Sequence, residues 1–327
     1  MSGRGRHAAP PRHAAPQRHP APHRHPAPSP SAAPQRRASL RWRAQWRAHW
    51  RARWRLRSLG GTMAAGLVII GLMALFCFAG PLFYRPDLVH VNLLLASRPP
   101  SAAHLLGTDP DGIDVLGQLM TGGQLSLEVG VAAGVLATMI GSLWGALAGY
   151  LGGAIDAIMM RVVDAGIAIP VIVLLLLLTA IYAPGPALLV LVIAGTSWLG
   201  TARLVRGAAL TLRTREFVQA VRGMGGGRIR VIVRHIAPNA LSTIVVTVSF
   251  QIADAIVVLA TLSYLGLGVQ PPSSDWGDMI AAGVQSIYSG YWWEIYPAGI
   301  AIILVVVGFN LLGDGLRDRF TATSRGH

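Results

Sequence analysis

Gln251 and Asp254 sit in the middle of a long apolar stretch, and Glu216–Gly225 forms a short amphipathic decade between two such stretches. These are the residues with the best types and spacing for chemistry. A carboxylate inside a membrane span costs a few kcal/mol to bury, so its default reading is a translocation path or a contact with a partner subunit. The decade is suited to docking. Phe217, Ala220, Val221 and Met224 fall at i, i+3, i+4 and i+7, one face of a short helix, and Glu216, Gln219 and Arg222 take the other. Thr214 suits the cap, and Gly225, Gly226 and Gly227 stop the helix. A second amphipathic piece carries Ile229, Ile232, Val233 and Ile236, with Arg230, Arg234 and His235 off that face, and Pro238 breaks the pattern. The residues allow two readings: a socket for a soluble partner, or a loop lying on lipid headgroups.

Other constellations carry less. Asp109, Asp111 and Asp114 cluster in one loop and suggest calcium, but their positions do not fit an EF-hand. The turn chemistry of Asp109-Pro110 and Asp111-Gly112 explains them more cheaply, so no metal site is expected. Asp156, Arg161 and Asp164 cluster near the start of an apolar run, where Arg161 is expected to pair with Asp164 or with Asp156. Outside the first 59 residues histidine is limited to His90, His104, His235 and His327, and neither a His-Glu-x-x-His pair nor a Gly-x-Ser-x-Gly elbow occurs. No catalytic residue is expected. All 28 basic residues are arginine, so the lysine that a P-loop needs to hold nucleotide phosphates is absent, and the chain itself is not expected to be a P-loop ATPase.

The elements that position these residues are membrane spans. The chain has 327 residues, of which only 13% are charged, and a mean hydropathy of +0.50. Apolar runs of about 20 residues recur, the length a bilayer core demands. Six spans are expected: 62–83, 126–149, 157–182, 186–206, 240–267 and 295–315. Pro170 interrupts the third. The first apolar run starts only near Thr62, so no cleavable signal peptide is expected. Residues 1–38 are Pro, Ala, Arg and His with little to bury, and Arg-His pairs recur every six residues from Arg6 to His25. They read as a solvated, disordered tail, with an adhesive strip for anionic lipid or a metal-binding tract as the alternatives. No nucleic-acid role is expected of a tail that precedes membrane spans. Residues 39–59 place Trp42, Trp46, Trp50 and Trp54 among seven arginines and read as an interfacial helix on membrane lipid.

Arginine sets the orientation. With a cytoplasmic N-terminus, 26 arginines lie inside and only Arg85 and Arg98 outside. Both termini and loop 214–239 are then cytoplasmic, and loops 84–125 and 268–294 face outward.

The residues from 104 to 320 resemble the C-type permease subunits of bacterial dipeptide and oligopeptide ABC transporters, within the peptide/nickel importer group. His104-Leu105-Leu106-Gly107-Thr108-Asp109-Pro110-Asp111-Gly112-Ile113-Asp114-Val115 is similar to the family's H-P-L-G-T-D-x-x-G-R-D-V. Residues 216–238 look like its coupling-helix pattern E-Y-V-x-A-A-x-x-x-G…H-I-L-P. Further matches are Ala202–Gly207, Leu262–Pro272, Asp275-Trp276-Gly277 and Phe309–Asp318. The resemblance implies an all-α polytopic protein with six transmembrane helices of type I ABC importer permease architecture, in the bacterial plasma membrane. It implies a second, B-type permease, one or two P-loop ATPase subunits that carry the ATP and Mg, and an extracytoplasmic peptide-binding protein; this chain binds no cofactor.

Glu216, Phe217, Gln219, Ala220, Val221, Met224, Gly225, His235 and Pro238 become the ATPase-coupling residues by this resemblance. Gly107, Thr108, Asp109, Asp114 and Trp276 become candidates for contact with the binding protein, and Gln251 and Asp254 for the translocation path. Peptides are the expected cargo; nickel chelates, glutathione and haem are the alternatives, as is a channel or receptor with a docking loop. The chain departs from the pattern at several places. Gln219 stands where many members have Glu, Val221 where most have Ala, Ala237 where Leu is usual and Ile113 where Arg is usual. Leu259 stands where many relatives carry an acid, and Asp254, five residues earlier, is about 140° around the helix from it.

Overall fold

The computed structural model describes residues 60–85, 87–170, 173–174, 177, 181–182, 185–214, 237–269 and 273–324. The tail, the Trp/Arg segment, and Glu216, Phe217, Gln219, Ala220, Val221, Met224, Gly225 and His235 of the expected coupling helix lie outside the described residues.

The helices are α1 (Gly60–Phe83), α2 (Val115–Leu151), α3 (Gly153–Ala168), α4 (Pro186–Arg213), α5 (Ala237–Tyr264), α6 (Trp276–Val284) and α7 (Tyr296–Ser324). Among the described residues five helices, α1, α2, α4, α5 and α7, are long and apolar enough to cross a membrane. The expected third span shows only in part. Its α3 has 16 residues, about 24 Å of helix and short of a bilayer core. It ends where Ile169 turns extended (φ −85°, ψ 124°), as a residue before proline prefers. Pro238 lies in the first turn of α5, where proline is tolerated.

The helix ends follow from capping. Asp114 caps α2, its side chain accepting from the Gly117 amide at 2.8 Å. That start lies 11 residues ahead of the expected 126 because Gly117, Gln118 and Gly122–Gln124 dilute the hydropathy without breaking the helix. Pro186 opens α4 at a position that needs no amide donor. Gly152 and Gly153 turn the corner between α2 and α3 with φ of +65° and +59°, a conformation that strains any side-chain-bearing residue.

Glycines on α2 set the packing. Gly141, Gly145 and Gly149 recur every four residues on the face that meets α4: a Cβ at Gly145 would lie 2.3 Å from the Ala202 carbonyl oxygen, and one at Gly149 2.8 Å from the Ala209 Cβ. Close backbone approach of this kind drives helix association in lipid, where apolar surface alone gives no preference. Higher on the same helix Gly130 and Gly134 admit Ile256 and Ile252 of α5. Gly66 of α1 lies against Gly308 and Leu312 of α7 in the same way.

Among the described residues three apolar clusters fill the spaces between helices. One joins Cys77, Leu119, Ile252, Ile256, Trp276 and Val305, tying α1, α2, α5, α6 and α7 together. The second joins Val129, Leu189, Ile193, Leu259 and Leu262 of α2, α4 and α5. The third joins Ala148, Met160, Val163 and Leu199 where α3 packs on α2 and α4.

Candidate translocation cavity and coupling corner

A cavity of about 680 Å3 opens between α4 and α5. On α5 its wall carries Thr247, Gln251, Asp254, Val258 and Thr261, a stripe at alternating steps of four and three. On α4 it carries Thr196, Ser197, Gly200, Thr201 and Leu204. The two residues expected on a path, Gln251 and Asp254, therefore share one cavity, and the α4 hydroxyls are an addition that only packing brings in. Gln251 is fixed across the helix pair: its Nε2 donates to the Ser197 carbonyl at 3.3 Å, and its Oε1 accepts from the Thr201 hydroxyl at 3.2 Å. Asp254 is exposed to the open side of the cavity and has no ion pair among the described residues. Leu259 is 1% exposed on the opposite side of α5, within the second apolar cluster.

Two ion pairs bind α3 to the part of α4 that leads toward residue 214. Arg206 donates from Nε to Asp156 Oδ1 at 2.5 Å and from Nη2 to Oδ2 at 2.7 Å, and Arg203 donates to Asp164 Oδ1 at 2.6 Å. This corrects the expectation that Arg161 serves these acids. Asp156, Met160 and Val163 form the buried face of α3, and Arg161 stands about 140° round from Asp156, on the exposed side. The signal was present in the sequence: Arg203 and Arg206 lie inside an apolar helix, where a charge needs a partner. The corner also closes on Gly152, where a Cβ would lie 2.2 Å from Nη1 of Arg213. Trp144 donates to the Met159 carbonyl at 3.2 Å and meets the ring of Trp198 edge-on at 5.2 Å. The end of α4, up to Arg213, is thus tied to α2 and α3.

Of the candidates for a binding-protein contact, Gly107, Thr108, Asp114 and Trp276 are buried and Asp109 is half-buried. Gly107 takes φ +77°, and a Cβ there would meet the Arg98 carbonyl oxygen at 2.5 Å. Thr108 is fully buried, bridging to Asp114, accepting from the Arg98 amide and donating to the Leu95 carbonyl. Asp109 accepts from the amides of Asp111 and Ile113 and from Gln118. Burial pushes its carboxyl above the ordinary value against those hydrogen bonds. Asp114 accepts from Tyr84 at 2.8 Å and His104 at 2.9 Å besides capping α2. Trp276 is fully buried, its indole donating to the Leu119 carbonyl at 2.9 Å. Asp275 caps α6 through the amides of Gly277 and Asp278 and accepts from Ser263. These residues set the shape of loop 84–114 and of α6, and within the 109–114 cluster the Asp109 side chain braces the turn in which Asp111 sits exposed. Among the described residues no three His, Cys, Asp or Glu side chains are grouped to hold a metal ion.

Sequence comparison places this architecture. Residues 141–325 match the family described as binding-protein-dependent transport system inner membrane component. The chain is 40% identical over 253 residues to the oligopeptide transport system permease protein OppC of Bacillus subtilis, covering 77% of this chain and 83% of that one. It is 36% identical to the dipeptide transport system permease protein DppC of Bacillus subtilis, over 78% of this chain and 79% of the other. It is 40% identical to the probable D,D-dipeptide transport system permease protein DdpC of Escherichia coli, over 77% and 84%. With a family match over more than half its length and relatives matched over about four fifths of theirs, the chain belongs to the membrane permease subunits of binding-protein-dependent ABC importers and is not itself an enzyme.

Proposed function

We propose that this permease forms one half of the transmembrane path of an ATP-driven peptide importer in the bacterial plasma membrane. A second, B-type permease closes the open side of the α4/α5 cavity, and Gln251 and Asp254 line the path. One or two P-loop ATPase subunits bind ATP and Mg on the cytoplasmic side, and an extracytoplasmic binding protein delivers cargo. The observation that carries this reading is an open, largely apolar cavity that holds Gln251, Asp254 and a set of hydroxyls, in a chain whose relatives are named for oligopeptide and dipeptide transport. Six spans, with residues 157–182 as the third and both termini cytoplasmic, put loop 214–239 beside the ATPases. Residues 1–38 are a cytoplasmic tail, 39–59 an interfacial helix on lipid, 104–320 the permease core and 321–327 a C-terminal tail.

Within the loop, Glu216, Phe217, Gln219, Ala220, Val221, Met224 and Gly225 form the helix that seats in an ATPase groove, with His235 and Pro238 closing the turn. Nucleotide binding then shifts the permease pair between outward- and inward-facing states through contacts that differ between the two. Gly107, Thr108, Asp109, Asp114 and Trp276 hold the outer surface that meets the binding protein. The test is gentle affinity purification from native membranes with mass spectrometry, together with F217D and G225P. A second permease and P-loop ATPases should co-purify, and both variants should insert normally but lose uptake. A chain that comes down alone, or variants with full uptake at normal levels, would overturn the reading.

A further inference from the structure

The α4/α5 cavity offers acceptors and one carboxylate, and among its described lining residues no cationic donor. The hydroxyls of Thr196, Thr247 and Thr261 donate to backbone carbonyls of their own helices, and Thr201 donates to Gln251 Oε1. Their lone pairs are left for the cavity, beside the Asp254 carboxylate, and among the described residues no arginine or histidine lines it. A second cavity of about 750 Å3, between loop 84–114 and α6, carries Asp109, Asp111, Glu128 and Asp278 and, among the described residues, again no arginine or histidine. The two lie on either side of one apolar cluster, since Leu125 lines the second cavity and packs on the cluster holding Leu262, which lines the first.

We propose that the path selects cargo by positive charge: the α4/α5 cavity receives a peptide's α-ammonium group or a basic side chain, with Asp254 as its counter-ion. An ammonium brings three donors and the charge that Asp254 lacks among the described residues. A carboxylate entering the same space meets lone pairs and a like charge, with only the neutral Gln251 amide and Ser197 hydroxyl as donors. In a low-dielectric cavity both effects are larger than in water.

This inference rests on the reading of the cavity as the path, and the experiment separates the two. The transporter is reconstituted with its co-purifying partners, and uptake of trilysine, trialanine and triglutamate is measured for wild type, D254N and D254E. Comparing variant with wild type for each peptide cancels the contribution of the binding protein. D254N should lower trilysine uptake about tenfold relative to triglutamate, about 1.4 kcal/mol, and D254E should restore it. Equal effects on all three peptides in an assembled complex overturn charge selection.

In parallel, T261C in a C77S background is treated with a cationic and an anionic methanethiosulfonate during ATP turnover. Faster labelling by the cation, lost in D254N, is the expected result. Equal rates for both reagents overturn the proposal and leave the path standing. No labelling by either overturns the path reading itself, and the proposal with it.

Discussion

Arg206 and Asp156, fifty residues apart, meet through two parallel hydrogen bonds of 2.5 and 2.7 Å. The planar guanidinium matches the carboxylate edge to edge, a geometry that lysine cannot reproduce. The pair ties α3 to α4 seven residues before α4 ends at Arg213. R206A and D156A should each destabilise the purified complex, and the double variant should lose less than the sum. The coupling energy should be about 1–2 kcal/mol, the upper range for polar pairs between membrane helices. Thermal melts of the four species of this cycle measure it. R206K should behave more like R206A than like wild type. Strict additivity of the two single variants would show that the pair does not hold the corner.

The glycine ladder makes a steric prediction at the same place. A Cβ on Gly145 would sit 2.3 Å from the Ala202 carbonyl oxygen and 2.9 Å from the Arg206 amide nitrogen, so α2 and α4 must separate to admit it. Backbone cannot step aside as a flexible side chain can. G145A should therefore cost about 1–3 kcal/mol, and G145L should prevent stable assembly. Gly207, with no atom within 4 Å of its would-be Cβ, is the control: G207A should be nearly neutral. Detergent-resistant complex yield and melting temperature distinguish these outcomes.

Much of this was written in the sequence, and unevenly. Hydropathy found α1 and the start of α4 to within two residues, because an apolar run is a one-dimensional property. It stopped α4 at Arg206, although the helix runs to Arg213, because a window average treats arginine as the end of a span rather than one side of a pair. Gly141, Gly145 and Gly149 are legible as a small-residue repeat once helix packing is considered. The stripe Thr247, Gln251, Asp254 and Thr261 was equally legible on α5. What no linear reading supplies is that Thr196 and Thr201 of α4 face that stripe. It also does not show that Trp276 has its indole on Leu119, 157 residues away. Motif similarity marked Trp276 as functional, while its burial shows that its contribution is to shape.

Tyr84 and Asp114 give a prediction in pH. The phenol donates to Asp114 Oδ2 at 2.8 Å, and burial, with the neighbouring carboxylate, raises its pKa from 10 to about 12. A phenol whose folded pKa is raised contributes stability that is fully present below its unfolded value and is lost as pH rises through the folded one. Loop 84–114 should thus loosen between pH 10 and about 12. Limited proteolysis across that window should show increasing cleavage of the loop in wild type, and Y84F should be cleaved more readily already at neutral pH and show no such step. Tyr84 titrating near pH 10 in a difference spectrum against Y84F would refute the contact.

Asp275 combines a cap and a buried acid, and the two can be separated by choice of substitution. Its Oδ1 accepts from the amides of Gly277 at 2.7 Å and Asp278 at 3.2 Å, and Oδ2 accepts from Ser263. D275A removes all three acceptor contacts and leaves buried donors unpaired, so it should cost about 2–4 kcal/mol. D275N keeps a carbonyl oxygen for the cap and turns an amide toward Ser263, whose hydroxyl can accept, so its cost should stay below about 1 kcal/mol. Burial raises the Asp275 carboxyl above 3.8, and burial with the Asp275 charge does the same to Asp278. For an acid with a raised folded pKa, the native state holds the proton longer than the unfolded one. Stability from that group therefore falls as pH rises from 3.8 through the raised value and is flat above it. Asparagine has nothing to titrate, and removing one acid also relieves the other. The melting temperature of D275N relative to wild type should consequently improve from acidic to neutral pH, while D275A stays well below wild type throughout. A D275N deficit that deepens toward neutral pH would mean that the ionised carboxylate, rather than the oxygen geometry, is what holds α6 in place.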